Sequence, residues 1–161
     1  MKLYICSSWR NPYYTPLVTM LRLAGYEIWD WRNPPTGGNG FKWQDVGVTD
    51  YKHGDKITVD AWGSALIEPV AMAGFASDLA GMNWCDVGIL LHPAGRSAHL
   101  EAGWLAGRGK TVHVLCLEKN IEPDLMVLAL NGKICGSCAE LGYELGRVNA
   151  LPEILPITAE R

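Results

Sequence analysis

Val87-Gly-Ile-Leu-Leu91, continued by His92-Pro93-Ala-Gly-Arg-Ser-Ala-His-Leu-Glu101, is the stretch on which the reading of this chain turns. A five-residue apolar run that ends in a Pro/Gly loop reads as a strand buried on both faces. Ser97 then reads as the N-cap of a helix over Ala98–Arg108, its hydroxyl accepting a first-turn N–H. A capping box would place a glutamate three residues beyond the cap, but that position is Leu100 and the acid is Glu101. A carboxylate beside the loop at the carboxyl end of a parallel strand sits where open α/β sheets bind ligands. The alternative is a solvated helix glutamate. Gly95, Arg96 and His99 weigh against it, because they add anion-binding groups beside a possible nucleophile.

Outward from this stretch, the pattern alternates. Lys2–Cys6 predicts a first strand, Pro16–Ala24 a helix with Leu17, Met20, Leu21 and Ala24 at helical spacing, and Tyr26–Trp31 a second strand. Residues 33–40 carry two prolines and three glycines and read as loop, and 41–55 as irregular. Helices are expected over Lys56–Val70 and Phe75–Trp84, a third strand from Asp86, and a β-branched fourth strand over Thr111–Leu117. Pro123–Leu130 reads as helix, Lys133–Cys135 as a short fifth strand, and Ser137–Val148 as a last helix. Strands alternating with helices of this length predict a flavodoxin-like, doubly wound, mostly parallel five-stranded sheet in the order 2-1-3-4-5, with helices on both faces.

At 161 residues, with no linker or repeat, the chain is expected to form one domain, 1–161. A net charge of -3 gives no general attraction to nucleic acid or to an anionic membrane. No apolar run approaches the ~20 residues that cross a bilayer, and Met1–Cys6 is too short and too soon interrupted by Ser7 and Ser8 for a signal peptide. Five cysteines is an odd number, and Cys6, Cys85 and Cys116 lie in or beside apolar segments, which suits reduced thiols in the cytoplasm. Cys135-Gly-Ser-Cys138 lacks a second ligand pair at matching spacing, since His113 and Cys116 point to opposite faces of one strand. No metal and no cofactor are expected.

The loop after the first strand offers Ser7, Ser8 and Arg10. Hydroxyls and a guanidinium facing a helix start suit a phosphate, and turn chemistry with a solvated arginine is the plain alternative. Trp9 in the same loop is the best placed of seven tryptophans to stack on a nucleobase, whereas Trp62, Trp84 and Trp104 fit core positions. Asp78, eight residues before Asp86, is a candidate general acid, or else a first-turn helix acid. Gly107-Arg-Gly-Lys-Thr111 imitates the end of a phosphate-binding loop, but it runs from helix into strand, the reverse of the P-loop order. Lys110 there is expected to cap the helix C-terminus.

Together these motifs resemble the nucleoside 2-deoxyribosyltransferase superfamily, which includes 2'-deoxynucleoside 5'-phosphate N-hydrolases. The resemblance rests on Tyr4-Ile-Cys6-Ser-Ser8-Trp-Arg10, on Asp78 ahead of Asp86-Val-Gly-Ile-Leu, and on Gly95-Arg-Ser-Ala-His-Leu-Glu101 with the small-residue helix to Lys110. It implies Glu101 as nucleophile at the anomeric carbon and Asp78 as proton donor to the departing base. Ser8, Arg10 and Ser97 would hold a 5'-phosphate, with Trp9, Gly95, Arg96 and His99 completing the substrate-binding set. The implied activity is N-glycosidic cleavage of a nucleotide or deoxynucleotide, the implied partners a small-molecule nucleotide or nucleoside and a second copy in a homodimer. The transferases carry an aspartate where this chain has Gly95, which favours water over a second base as acceptor. Two alternatives stand beside this. One is a phosphoribohydrolase of the lysine-decarboxylase-like group, whose glycine-rich run is mostly missing here. The other is a non-catalytic nucleotide-binding or sensing module on the same fold.

Overall fold

In the computed structural model, which describes residues 1–48 and 56–157, five strands pair all-parallel in the order β2-β1-β3-β4-β5. They are β1 (Lys2–Cys6), β2 (Glu27–Trp29), β3 (Val87–Leu91), β4 (Thr111–Leu115) and β5 (Asn131–Cys135). The helices are α1 (Tyr14–Leu23), α2 (Val59–Leu66), α3 (Pro69–Trp84), α4 (Arg96–Gly107) and α5 (Cys138–Glu144). This is the flavodoxin-like α/β fold that the alternation predicts. The three central strands are buried from their second residue onward, as a sheet covered on both faces requires.

The described residues form two compact units, one of Met1–Asp30 with Trp84–Arg161 and the other of Trp31–Asn83. In the first, α1 and α5 lie together: Tyr26 Oη donates to the Leu145 carbonyl at 3.3 Å and Arg147 Nη1 to the Ala24 carbonyl at 2.7 Å. α4 covers the opposite face, as right-handed crossovers demand when the chain reverses direction at β1. It seats Ala98, Ala102 and Leu105 on the sheet. Gly88 makes this approach possible, because a Cβ there would lie 2.8 Å from Leu105 Cδ1 and 3.0 Å from Val112 Cγ2. Gly132 plays the same part between β4 and β5, where a Cβ would fall 2.1 Å from the Val112 carbonyl oxygen.

In the second unit, a 3-10 turn over Trp43–Val46 is closed by Asp45 Oδ2, which accepts the Lys42 N–H at 2.8 Å. Thr58 caps α2 by accepting the Ala61 N–H at 3.2 Å. α3 is sixteen residues long rather than the expected Phe75–Trp84. Pro69 opens it, where a missing N–H costs nothing, and Gly74 lets the helix pass Phe41, whose Cβ would lie 2.5 Å from a Cβ at that position. Among the described residues no single helix is long and apolar enough to cross a membrane; α2 and α3 reach that length only together and are bent by 67°. Part of the stretch expected to be irregular, 49–55, lies outside the described residues.

Three further expectations are corrected. Trp62, expected in the core, is 51 % exposed on α2. The segment expected as helix Pro123–Leu130 is a 3-10 turn over Leu125–Leu130 with Leu125, Met126 and Leu128 in water. Lys110, expected to cap α4 through its charge, meets an α4 carbonyl through its backbone N–H, to Leu105 at 3.1 Å. Its ammonium donates to the Cys85 carbonyl just beyond α3, reaching the carbonyl nearest the end of a different helix.

Candidate active site

The strand order reverses at β1, with β2 on one side and β3 on the other, so the loops leaving β1 and β3 flank the crevice that open α/β sheets use for ligands. Their register places them side by side. Cys6 pairs with Leu90, which aligns Ser7 with Leu91, and Ser7 Oγ donates to the Leu91 carbonyl at 3.2 Å. Ser8, Trp9 and Arg10 form a tight turn: the Asn11 N–H returns to the Ser8 carbonyl at 3.0 Å and the Arg10 N–H to Ser8 Oγ at 3.3 Å. Trp9 and Arg10 are exposed on it and Ser8 is partly buried.

On the β3 side the helix starts earlier than the sequence suggests. Gly95, in extended backbone, is the N-cap of α4, and Ser97 is its second residue. A small residue with no Cβ takes the cap position at little steric cost, so Ser97 is released from capping and stands exposed in the first turn beside Arg96. The amides of Arg96, Ser97 and Ala98 have no intrahelical acceptor, and the helix bonding begins with the His99 N–H to the Gly95 carbonyl at 3.3 Å. That is the arrangement of an anion-receptive helix start.

His99 tightens this loop. Its Nδ1 is 2.8 Å from the Gly95 carbonyl, which only accepts, so Nδ1 carries the hydrogen and Nε2 faces Asp124 Oδ2 at 3.8 Å. His92 packs edge-on against His99, ring centroids 5.5 Å apart. Burial lowers the His92 pKa, the neighbouring His99 charge adds to this, and Asp124 and Glu118 partly offset it.

Glu101 is partly buried on the sheet-facing side of α4, three residues after Ala98 and four before Leu105, both buried. Its carboxylate is close enough to the fully buried Cys6 thiol to push that thiol further up, after the larger effect of burial. A helix glutamate held for solvation would occupy the other face. In the second unit, Asp78 sits on α3 directly after Ser77, whose hydroxyl lies 3.4 Å from Thr36 Oγ1. Burial raises the Asp78 carboxyl from an ordinary 3.8 to about 7. Mid-helix placement excludes the first-turn role that was the alternative for Asp78.

Trp29 and Trp31, each 8 % exposed, are packing residues, and Trp29 pairs with Trp84 at 5.8 Å. Cys135 and Cys138 are buried free thiols, both pushed to about 11 chiefly by burial, which makes them poor nucleophiles and poor ligands. His113 Nδ1 accepts the Lys133 N–H at 3.2 Å, and no metal-binding cluster occurs among the described residues. A cleft of about 560 Å³ between α1 and residues 147–157, lined by Met20, Leu23, Leu151 and Ile157, includes none of the site residues above. The residue that the sequence missed is Asn11, 2 % exposed and bonded to both loops. Its signal was available only as a polar residue beside Pro12, which reads as ordinary turn chemistry.

No protein-family model matches the sequence, and no curated protein matches it. Among solved structures, the chain resembles a 2-deoxyribosyltransferase from Bacillus psychrosaccharolyticus, with a TM-score of 0.51 and 16 % identity over 98 % of this chain and 100 % of that one. A CMP N-glycosidase from Clostridium botulinum, BcmB, superposes with a TM-score of 0.48 and 14 % identity over 90 % of this chain and 96 % of that one. The first likeness establishes a shared flavodoxin-like α/β fold along nearly the whole chain.

Proposed function

We propose that this protein is an N-glycosidase that cleaves the glycosidic bond of a nucleotide or deoxynucleotide, with Glu101 as nucleophile and water as the favoured acceptor. The observation that carries the reading is the place of Glu101: a partly buried carboxylate on the sheet-facing side of α4, at the crevice flanked by the β1 and β3 loops. The fold is one that also carries a 2-deoxyribosyltransferase, which agrees with the reading.

In this scheme a Glu101 oxygen attacks the anomeric carbon as the bond to the base breaks, giving a glycosyl ester and the free base. Asp78 is the group assigned to protonate the departing base, and its carboxyl retains a proton up to about pH 7. Water then attacks the same carbon and gives up a proton to the Asp78 carboxylate, Glu101 leaves as carboxylate, and the sugar is released with retention. Ser8, Arg10, Ser97 and the first-turn amides of α4 are assigned to a 5'-phosphate, Trp9 to the base, and Gly95, Arg96 and His99 to the wall of that loop. Incubation with a panel of nucleosides and 5'-nucleotides, followed by chromatography for free base, tests the activity. Glu101→Ala is expected to abolish base release while sparing binding. Full turnover by that variant would remove the nucleophile, and saturable binding without turnover in the unmodified protein would favour a sensing module.

A further inference from the structure

Asn11 is almost fully buried, and each of its polar groups is engaged. Nδ2 donates to the Leu91 carbonyl at 3.1 Å and to the Pro93 carbonyl at 3.0 Å. Oδ1 accepts the Tyr13 N–H at 2.8 Å, the backbone N–H closes the Ser8 turn at 3.0 Å, and the carbonyl accepts the Tyr14 N–H at 3.4 Å at the start of α1. One planar amide therefore ties the turn after β1, the start of α1 and the exit of β3 into one body. Only asparagine suits the position. Aspartate cannot donate to two carbonyls, glutamine is a methylene too long, and an apolar isostere would leave the buried carbonyls short of a donor.

We propose that Asn11 is a positioning residue that holds the Ser8–Arg10 turn in register with the start of α4 and thereby sets how strongly the site prefers a 5'-phosphorylated ligand over its unphosphorylated counterpart. This rests on the reading of the two loops as a phosphate site. The donors involved come from segments more than 80 residues apart in sequence: Ser8 and Arg10 from one, Ser97 and the helix amides from the other. Ser7 Oγ supplies one further side-chain link between the strand ends, but it acts at the base of the loops, whereas Asn11 grips Pro93 closer to α4. A loop free to shift by an ångström would still carry its arginine yet lose convergence on one phosphate.

The test compares Asn11→Asp and Asn11→Ala with Tyr26→Phe, which removes a hydrogen bond to Leu145 away from these loops and controls for general loosening. Dissociation constants are measured for matched pairs of 5'-nucleotide and nucleoside. Amide hydrogen exchange is followed by NMR in the free proteins. The Asn11 variants should lower the nucleotide-to-nucleoside preference about tenfold, the scale of one charge-assisted contact, while nucleoside affinity stays within about twofold. Exchange should rise at residues 8–10 and 96–98 and stay unchanged in β4, and Tyr26→Phe should alter neither readout. An unchanged preference, or exchange rising equally in β4, overturns the proposal. If the variants do not fold, the unmodified protein decides: the Asn11 side-chain amide protons must exchange slowly, and rapid exchange overturns it. A wild-type protein with no phosphate preference sinks the phosphate reading instead, and the exchange pattern then still reports whether Asn11 couples the loops.

Discussion

Replacing Asp78 by asparagine should make the protein more stable above neutral pH, not less. Burial holds this carboxyl at about 7 against an ordinary 3.8, so between those values the folded state binds a proton that the unfolded chain has lost. Stability therefore falls as pH rises through this window, and it is level on either side. Raising the carboxyl from 3.8 to about 7 corresponds, at 1.36 kcal/mol per pH unit, to at most about 4 kcal/mol by pH 8. Asparagine cannot ionise, so the variant lacks this slope. Urea titrations followed by far-ultraviolet circular dichroism at pH 5, 6, 7 and 8 should show the Asp78→Asn protein gaining on the parent steadily from pH 5 to about 7, then running parallel. The comparison cancels every other titrating group common to both proteins. Parallel curves across the whole range would mean that Asp78 ionises normally in the folded state, and its assignment as an acid at neutral pH would fall with it. The same variant should also lose base release, because an amide N–H is far too weak an acid to protonate a leaving base.

Arg10→Ala should remove the preference for 5'-nucleotides over nucleosides, a loss of about 1.5–3 kcal/mol or roughly ten- to a hundredfold in binding; equal affinities in the unmodified protein would return Arg10 to a solvated turn. Gly132→Ala drives a Cβ into the Val112 carbonyl, so urea unfolding should show a loss of about 1–3 kcal/mol, and an unchanged midpoint would mean that the β4–β5 pairing differs from that described. The chain, 17.7 kDa, should sediment at micromolar concentration as a dimer. Leu125, Met126 and Leu128 are exposed apolar side chains available to the contact, and a monomer at that concentration would refute the expectation.

The sequence by itself determined the sheet. Leu3–Cys6, Val87–Leu91 and Val112–Leu115 are nearly unbroken apolar runs because strands covered on both faces have no solvent side to mark with polar residues. Their alternation with helices then left few topologies, and requiring the loops after β1 and β3 to be neighbours selects the order β2-β1-β3-β4-β5. Glu101 stood out in the sequence as a candidate because local capping chemistry failed to explain it, and its partly buried place on α4 came from the fold. Tertiary structure decided what depends on partners distant in sequence. Ser97 looked like a cap until the extended backbone of Gly95 took that place. α3, expected from Phe75, starts six residues earlier at Pro69 and runs on through Gly74 past Phe41. Lys110 finds its carbonyl 25 residues away and Asn11 its carbonyls 80 and 82 residues away. The proton on Asp78 is likewise set by burial, and no arrangement of neighbours along the chain encodes burial. Local sequence fixes backbone preference and apolar pattern within a few residues; desolvation and long-range hydrogen bonding exist only once the chain has folded.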